Sequence, residues 1–500
     1  MNEKSIVIVG AGMAGLSAGC YARMNGYKAT ILEMHSIPGG LCTAWTRKGY
    51  TFDISMHMLT GSKSGPLHDM WRELGVMENR QFHYHSEMCT IESGSRRLSL
   101  CTDRKRLEEQ LLVLSPADAE LSREFVRLVC GPNMMGAMSL KPAELATPSD
   151  FLRMSLAILP VLGTFRRYGK QTIQEFAGRF QDSFLREAIR MTIDGPGWPM
   201  VRFPMVAMAG FFKSSISESG VPRGGSQQVA YAVAERFKKL GGDLRLRARV
   251  ADVLVENNRA VGVKLADGGE VRADEVIWAG DGHRLIFDIL GGRYVDDKIR
   301  RMYDEWTPVR PVVHVCLGVA RDMSREPARL GFELDRALTV AGEERKWLSV
   351  IHHSFDPTMA PAGKSAVEVW YPCRYEYWRE LEKDRPRYDA EKERIAELTI
   401  AELDRRWPGF RAQVEVVDVP TPATYVRYTG NWQASPDGWY ITPENMRTNP
   451  LRVLPGLAGL HVAGQWTAPF TGTVIAALTG RQVIQLLCRQ DRRRFTTSRP

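Results

Sequence analysis

The chain opens with a pattern of apolar and polar residues that changes period twice. Ser5–Val9 is a short continuous apolar run, which predicts a strand buried on both faces. The next segment, Leu16–Asn25, predicts a helix that ends at Gly26, and Lys28–Leu32 predicts a second strand. A strand, a helix and a strand in this order indicate the start of a parallel α/β sheet.

The turn between the first strand and the helix carries three spaced glycines, Gly10, Gly12 and Gly15. The first permits a tight turn, the second lets the backbone approach a pyrophosphate, and the third lets helix and strand pack closely. The helix N-terminus offers N–H groups and a positive dipole end to phosphates. Glu33 follows the second strand, where a carboxylate can accept hydrogen bonds from ribose hydroxyls. The unit predicts a dinucleotide site, with a ligand-free glycine turn as the alternative.

Similar patterns return in the middle and near the end of the chain. The middle region predicts a helix over Gln228–Leu240, a strand over Leu244–Val250, a hairpin over Ala251–Glu270 and a strand over Asp274–Gly280. Near the end, a strand leads to Gly464, and a helix follows over Val474–Cys488. Both regions predict further strands of the same sheet.

The two segments between these regions have different patterns. Residues 66–219 are predicted to be mostly helical. Residues 301–424 alternate strands with a long helix, and the predicted elements are Val312–Leu317, Trp347–His352, Ala366–Tyr371 and the helix Asp389–Arg405. We expect these strands to form a sheet that faces the ligand.

Composition narrows the function classes. The chain has 500 residues, 44% hydrophobic and 25% charged, which excludes a disordered, collagen-like or disulfide-scaffold protein. The net charge of +9 permits an anionic partner such as a membrane surface but does not require one. The eight cysteines form no CxxC pair, which predicts reduced thiols in a cytoplasmic protein and no metal site. No basic-aromatic stripe indicates nucleic acid.

A second glycine pair separates FAD from NAD as the expected ligand. Gly39-Gly40-Leu41 follows Glu33, and the stretch Gly49-Tyr50-Thr51-Phe52-Asp53 comes next. At these residues the sequence resembles the phytoene desaturase and carotenoid isomerase family of FAD-dependent oxidoreductases, in the amine oxidase-like flavoprotein superfamily. The resemblance recurs at Pro222–Ser226 and at Gly459–Thr473, and it places the flavin ring and ribityl chain at the second of these segments. The three separated blocks are in the right order and are spread over nearly the whole chain.

The resemblance implies an α/β fold: a Rossmann-like, GR2-type FAD-binding domain with an interleaved α+β substrate domain. It assigns residues 1–65, 220–300 and 425–500 to the FAD-binding domain. Residues 66–219 and 301–424 then form the substrate domain, with a helical part that could face a membrane.

The resemblance also implies the residues that hold FAD, which we expect to be bound non-covalently. They are Gly10, Gly12, Met13, Ala14, Gly15, Glu33, Met34, Gly39, Gly40, Leu41, Val250, Gly280, Gly464, Gln465, Thr471, Gly472, Thr473 and Val474. Two positions depart from the family pattern. Gln465 replaces a common acid, and His35 stands where many flavoproteins have arginine, which leaves open how the diphosphate charge is balanced.

The implied activity is desaturation, saturation or flavin-dependent cis–trans isomerisation at CH–CH bonds of a long apolar polyene or isoprenoid-like substrate. His57, Trp198 and Trp466 are candidates for lining the substrate path, and no catalytic acid or base is identified. No second GxGxxG unit is present, so we expect an external electron acceptor or donor. The alternatives are a flavin amine oxidase and, as a non-enzyme, a prenyl-binding protein resembling Rab GDP-dissociation inhibitors.

Two apolar stretches in the helical segment have no role in this scheme. They are Phe151–Gly163, followed by Arg166 and Arg167, and Pro199–Phe212. One interpretation is interior packing. The other is a peripheral membrane contact through which a lipophilic substrate enters, with the basic residues at anionic head groups.

Overall fold

A five-stranded parallel sheet has Ser5–Val9 at its centre. The computed structural model describes residues 3–55, 58–131, 139–194, 200–469 and 472–498. From edge to edge the strands are Leu460–Val462, Glu275–Trp278, Ser5–Val9, Lys28–Leu32 and Asp243–Arg245. Their side chains are mostly buried because both faces of the sheet are covered.

Three helices cover one face of this sheet: Met13–Met24, Ser226–Lys239 and Thr473–Gln490. The first and last of them pack backbone against backbone. At Gly480 an added Cβ would lie 2.2 Å from the carbonyl oxygen of Ala14, so this contact requires glycine. The other face carries an antiparallel sheet of three strands, Val250–Glu256, Arg259–Leu265 and Glu270–Arg272.

The single strand predicted over Leu244–Val250 is wrong. Asp243–Arg245 ends the parallel sheet, and Val250 begins a strand of the three-stranded sheet. Between them Arg247 has a φ of 58°, and its N–H donates to the carbonyl of His35 while the N–H of Ala248 donates to that of Glu33. The chain turns here because these backbone bonds hold it over the end of the second strand.

A second sheet has seven strands. In order they are Val414–Asp418, Val312–Val319, Ser365–Pro372, Glu343–His352, Arg329–Val340, Glu87–Ser93 and Arg96–Cys101. Neighbours are antiparallel except for the pair formed by Arg329–Val340 and Glu87–Ser93. The helix Arg385–Arg406 packs on this sheet through Ile395, Ile400 and Leu403.

Residues 66–219 are therefore not only helical, since they supply two strands of the seven-stranded sheet and the short strand Phe82–His83, which pairs with Val221–Pro222. Their helices are Gly65–Glu73, Arg104–Leu114, Ala119–Val129, Pro148–Ile158, Leu162–Tyr168, Ile173–Ala177, Ser183–Asp194 and Met205–Ser217. Met205, Met208 and Phe212 are buried in the core of this helical part, as the interior-packing interpretation of their stretch expects.

The remaining elements are smaller. They are the hairpin Ala44–Arg47 with Tyr50–Asp53, the π-helix Arg284–Ile289, and the helices Asp297–Glu305, Tyr375–Leu381 and Pro422–Thr429. The predicted α/β fold class, with a Rossmann-like unit and an interleaved α+β part, is confirmed. Across the described ranges, none of the helices combines the length and apolar composition that a bilayer crossing needs.

Candidate functional site

A cleft of about 1180 Å³, counted out to its open mouth, lies at the carboxyl end of the parallel sheet. Its first wall is the glycine turn after Ser5–Val9. Gly10 has a φ of +98°, and an added Cβ at Gly15 would lie 1.9 Å from the carbonyl oxygen of Gly10. An added Cβ at Gly12 would meet nothing within 4 Å, so a ligand can approach the backbone there.

Glu33 lies at the end of the neighbouring strand, 6% exposed. Its carboxylate accepts hydrogen bonds from the N–H of Ala11 at 2.7 Å and from the N–H of His35 at 2.8 Å. Burial raises the pKa of Glu33, and these backbone bonds lower it. The two bonds fix the carboxylate at the cleft wall, where it can accept further bonds from ligand hydroxyls.

The second wall is the segment Gly39–Cys42. The N–H of Gly39 donates to the carbonyl of Ala11 at 2.8 Å, so this loop runs beside the glycine turn. An added Cβ at Gly39 would lie 2.5 Å from the carbonyl oxygen of Cys42. The loop closes the cleft at close range because both of its first residues are glycine.

The third wall comes from the end of the chain. The N–H of Gly464 donates to the hydroxyl of Thr479 at 2.8 Å, and Gly472 caps the helix Thr473–Gln490. The cleft is lined by the first residues of this helix and of Met13–Met24. Two helix N-termini with their N–H groups and positive dipole ends therefore face one cleft, an arrangement suited to a diphosphate.

Most of the predicted cofactor residues line this cleft. They are Gly10, Gly12, Met13, Ala14, Glu33, Met34, Gly39, Gly40, Leu41, Val250, Gly280, Gly464, Gln465, Gly472 and Thr473. Gly15 and Val474 lie behind the lining and pack the helices that carry it. Thr471, His57 and Trp198 fall outside the described residues.

Trp466 lines the cleft and also packs into an aromatic cluster, and it is 2% exposed. Its ring lies 5.3 Å from that of Trp439 in a perpendicular arrangement and 6.1 Å from that of Trp432. The Nε1–H of Trp439 donates to the carbonyl of Trp466 at 3.2 Å. Trp466 thus forms the boundary between the cleft and a rigid aromatic wall.

Sequence reasoning missed several charged residues of the lining: Arg249, Asp281, Arg284 and Asp437. The two arginines bring positive charge to the cleft, whereas His35 is outside the lining and its ring contacts Tyr428. Arg249 and Arg284 are therefore the candidates for balancing the charge of a bound diphosphate. A sequence signal existed for Asp281, which directly follows the strand Glu275–Trp278 and Gly280.

The two aspartates of the lining differ in their hydrogen bonds. Asp281 accepts from the N–H of Arg284 and from the N–H of Trp432, both at 2.8 Å. Asp437 accepts from the backbone N–H of Gly472. Burial raises the pKa of each carboxyl to about 6. Both can therefore change protonation state near neutral pH.

Comparisons with known proteins agree with this geometry. The family model described as "Flavin containing amine oxidoreductase" matches residues 13–483. A chloroplastic prolycopene isomerase from Daucus carota is 25% identical over 520 residues, covering 96% of this chain and 79% of that protein. A neurosporene-forming phytoene desaturase from Cereibacter sphaeroides is 25% identical over 500 residues, covering 93% of this chain and 91% of that protein.

Two solved structures are similar in fold. An oxidoreductase from Methanosarcina mazei has a TM-score of 0.62 at 18% identity, covering 96% of this chain and 100% of that chain. Putrescine oxidase bound to putrescine has a TM-score of 0.62 at 17% identity, covering 98% of this chain and 100% of that chain. At these identities the likeness concerns the fold.

Proposed function

We propose a substrate class and a reaction for this chain from the premise that it belongs to the flavin containing amine oxidoreductase family. It is an FAD-dependent oxidoreductase similar to phytoene desaturases and carotenoid isomerases, and its cofactor is FAD. The cleft fits that cofactor, because its glycine walls leave room for a backbone-bound diphosphate and Glu33 can bind the ribose.

The proposed substrate is a long apolar polyene, and the proposed reaction is desaturation of a CH–CH bond. The observation that carries the proposal is that two segments resembling the desaturases and far apart in sequence, Gly39–Leu41 and Gly464–Thr473, meet at one cleft beside the glycine turn. The names of the relatives, an isomerase and a desaturase of polyenes, support the same substrate class. Because one relative is an isomerase, cis–trans isomerisation starting from reduced flavin is the second candidate.

When bound, FAD supplies a two-electron acceptor for hydride. The chain's own residues bind and orient FAD and shield the cleft from water. The N-terminus of Met13–Met24 would hold the diphosphate, Glu33 would hold the adenosine ribose, and Arg249 and Arg284 would offset the phosphate charge. The aromatic wall behind Trp466 keeps water from one side of the cleft. An external electron acceptor completes the proposed cycle.

The test is stopped-flow flavin absorbance without oxygen. We expect carotenoid-precursor polyenes in detergent micelles to bleach the oxidised flavin, and primary and secondary amines to leave it unchanged. Bleaching by amines alone would replace the proposal with an amine oxidase. For the isomerase candidate, dithionite-reduced protein is mixed with a cis-polyene, and formation of the trans isomer is followed by absorbance and chromatography.

We also propose that the exposed apolar surface formed by residues 151–162 contacts an anionic lipid surface. Six large apolar side chains there are 45–63% exposed: Phe151, Leu152, Met154, Leu156, Leu159 and Leu162. Arg153, Arg166 and Lys170 are exposed on the same short stretch of chain. A patch of this kind with basic neighbours is typical of an interfacial helix.

Replacing Leu152, Leu156 and Leu159 with Asp should abolish flotation with phosphatidylglycerol liposomes and leave the flavin spectrum unchanged. The matched control is Val113→Asp, since Val113 is 82% exposed on a different helix. Wild-type protein that stays unbound at low salt would contradict the proposed contact.

A further inference from the structure

The cleft brings together three carboxyl side chains in the part of the chain that the structure describes: Glu33, Asp281 and Asp437. Glu33 accepts two backbone N–H bonds, and so does Asp281. Among the described residues, Asp437 accepts from one backbone donor, Gly472. Counted over these residues, its carboxyl therefore keeps the largest unused acceptor capacity of the three.

The position of Asp437 is fixed by its neighbours. An added Cβ at Gly438 would lie 2.5 Å from the carbonyl oxygen of Gln465, so the turn that carries Asp437 lies directly on the segment Gly464–Trp466. The donor Gly472 caps the helix Thr473–Gln490. The next residue after the turn, Trp439, is fully buried against Trp466. The turn is therefore held from both sides beside the segment at which the resemblance places the flavin ring.

We propose that Asp437 is the catalytic base of the desaturation, an inference that rests on the proposed function. Two C–H bonds on neighbouring carbons break. One hydrogen leaves as hydride to FAD, which is reduced. The electron pair of the other C–H bond forms the new C=C bond, and its proton goes to the Asp437 carboxylate. The substrate is oxidised by two electrons, and the external acceptor later reoxidises the flavin.

The electrostatic surroundings support this role. Burial raises the pKa of Asp437 to about 6, and the bond from Gly472 opposes that rise. The other titratable side chains in the cleft lining are Glu33, Cys42, Arg249, Asp281, Arg284 and Tyr428. Among the described residues, no charged side chain contributes to the shift. A carboxyl with a pKa near 6 is a carboxylate at pH 7 and is basic enough to take a proton.

Asp437→Asn is the first test, with two measurements on FAD-loaded protein. The flavin absorbance of Asp281→Asn, which lacks the other cleft carboxyl with a pKa of about 6, is titrated from pH 5 to pH 8 without substrate, and we expect a step near pH 6 that disappears when Asp437→Asn is added. The rate of anaerobic flavin reduction by a polyene should rise with pH through about 6 in wild type. In Asp437→Asn it should be flat and at least about 100-fold lower. FAD affinity should change less than about threefold.

Asp118→Asn is the matched control. Asp118 is 4% exposed and accepts the N–H groups of Gln181 and Asp182, and it is not among the cleft-lining residues. This variant should keep both the pH step and the rate. Asp437→Glu restores a carboxylate and should recover part of the rate, which also covers the case in which the Asn variant folds poorly.

The outcomes separate two failures. The assignment of Asp437 is overturned if wild type is bleached by a polyene and Asp437→Asn is bleached equally fast, or if the spectral step persists when Asp437→Asn is added to Asp281→Asn. If no polyene bleaches wild type, the proposed function is overturned, and this assignment of the proton step with it.

Discussion

Each of the two large sheets buries one glutamate beside histidine. On the parallel sheet, Glu275 is 1% exposed and contacts Lys4 at 3.0 Å, Arg259 at 3.2 Å and His461 at 3.0 Å. On the seven-stranded sheet, Glu368 is also 1% exposed. It contacts His314 at 3.1 Å and His353 at 3.2 Å, and it accepts the backbone N–H of Asp53 at 2.9 Å.

The difference lies in where the partners come from. Glu275 pairs with Lys4 and His461 at the amino end of its own sheet and with Arg259 of the three-stranded sheet that covers one face of it, so it joins these two sheets. Glu368 reaches Asp53, whose carboxylate accepts bonds from Ser226 and from the N–H of Ser55. Ser55 lines the cleft. The Glu275–His461 pair therefore belongs to a contact between two stacked sheets. The pairs of Glu368 with His314 and His353 instead connect the seven-stranded sheet to the cleft lining, through Asp53 and Ser55.

Removing Glu368 should have the largest effect on the free energy of unfolding. Glu368→Ala leaves two buried histidines and a backbone N–H without their acceptor, which should lower the free energy of unfolding by about 3–5 kcal/mol. Glu275→Ala should lower it by about 1–3 kcal/mol, because the side chains of Lys4 and Arg259 are 22% and 44% exposed and water can solvate them. Urea unfolding of the FAD-free proteins measures the loss of stability in both variants. Equal losses would contradict the proposed difference between Glu368 and Glu275.

Glu33, at the end of another strand of the parallel sheet, is the carboxyl that we propose to bind the ribose, so it provides a second contrast with Glu275. Glu33→Ala should weaken FAD binding by about 1.5–3 kcal/mol, or roughly 10- to 150-fold, because a charge-assisted bond to the ribose is lost. Glu275→Gln should leave FAD affinity within about twofold. Fluorescence titration of FAD into apoprotein tests both variants. Unchanged affinity in Glu33→Ala would show that the adenosine end is assigned wrongly.

Glu275 should also affect how stability depends on pH, and this effect should be smaller. Hydrogen bonds and charges from His461 and Lys4, acting against desolvation, lower the pKa of Glu275 to about 2 in the folded protein. A lowered folded pKa gives stability that is present above the ordinary value near 4.5 and is lost as pH falls toward 2. Urea midpoints measured from pH 6 to pH 3 should fall less steeply in Glu275→Gln than in wild type. Parallel curves would contradict this linkage.

The first strands of the parallel sheet and their glycine turn could be predicted from the sequence, because the residues that define them are close together in the chain. The strands Ser5–Val9 and Lys28–Leu32 are found with their predicted bounds, and the glycine turn lies between them. Because another backbone segment lies close to Gly10 and to Gly15, a larger residue does not fit there. The glycine spacing can therefore be recognised from the local sequence alone.

The rest depends on distant partners. The strand Glu87–Ser93 is stabilised by Arg329–Val340, and nothing near residue 90 indicates that pairing. Asp437 and Glu368 have no local motif, because their roles come from Gly472 and from Asp53 across the fold. The chain turns at Arg247, inside a segment of alternating residues, because of two distant acceptors. The carbonyl of His35 accepts the N–H of Arg247, and the carbonyl of Glu33 accepts the N–H of Ala248.

The close contact between Gly480 and Ala14 has a consequence for protein synthesis. Met13–Met24 is almost wholly buried in the finished protein, and one of its two covering helices, Thr473–Gln490, is synthesised much later. At 5–20 residues per second, the roughly 450 residues between them take about 20–90 s to add. Throughout that time the nascent chain carries an apolar helix with one side uncovered. Capture of FAD through all three walls must follow synthesis of Thr473–Gln490.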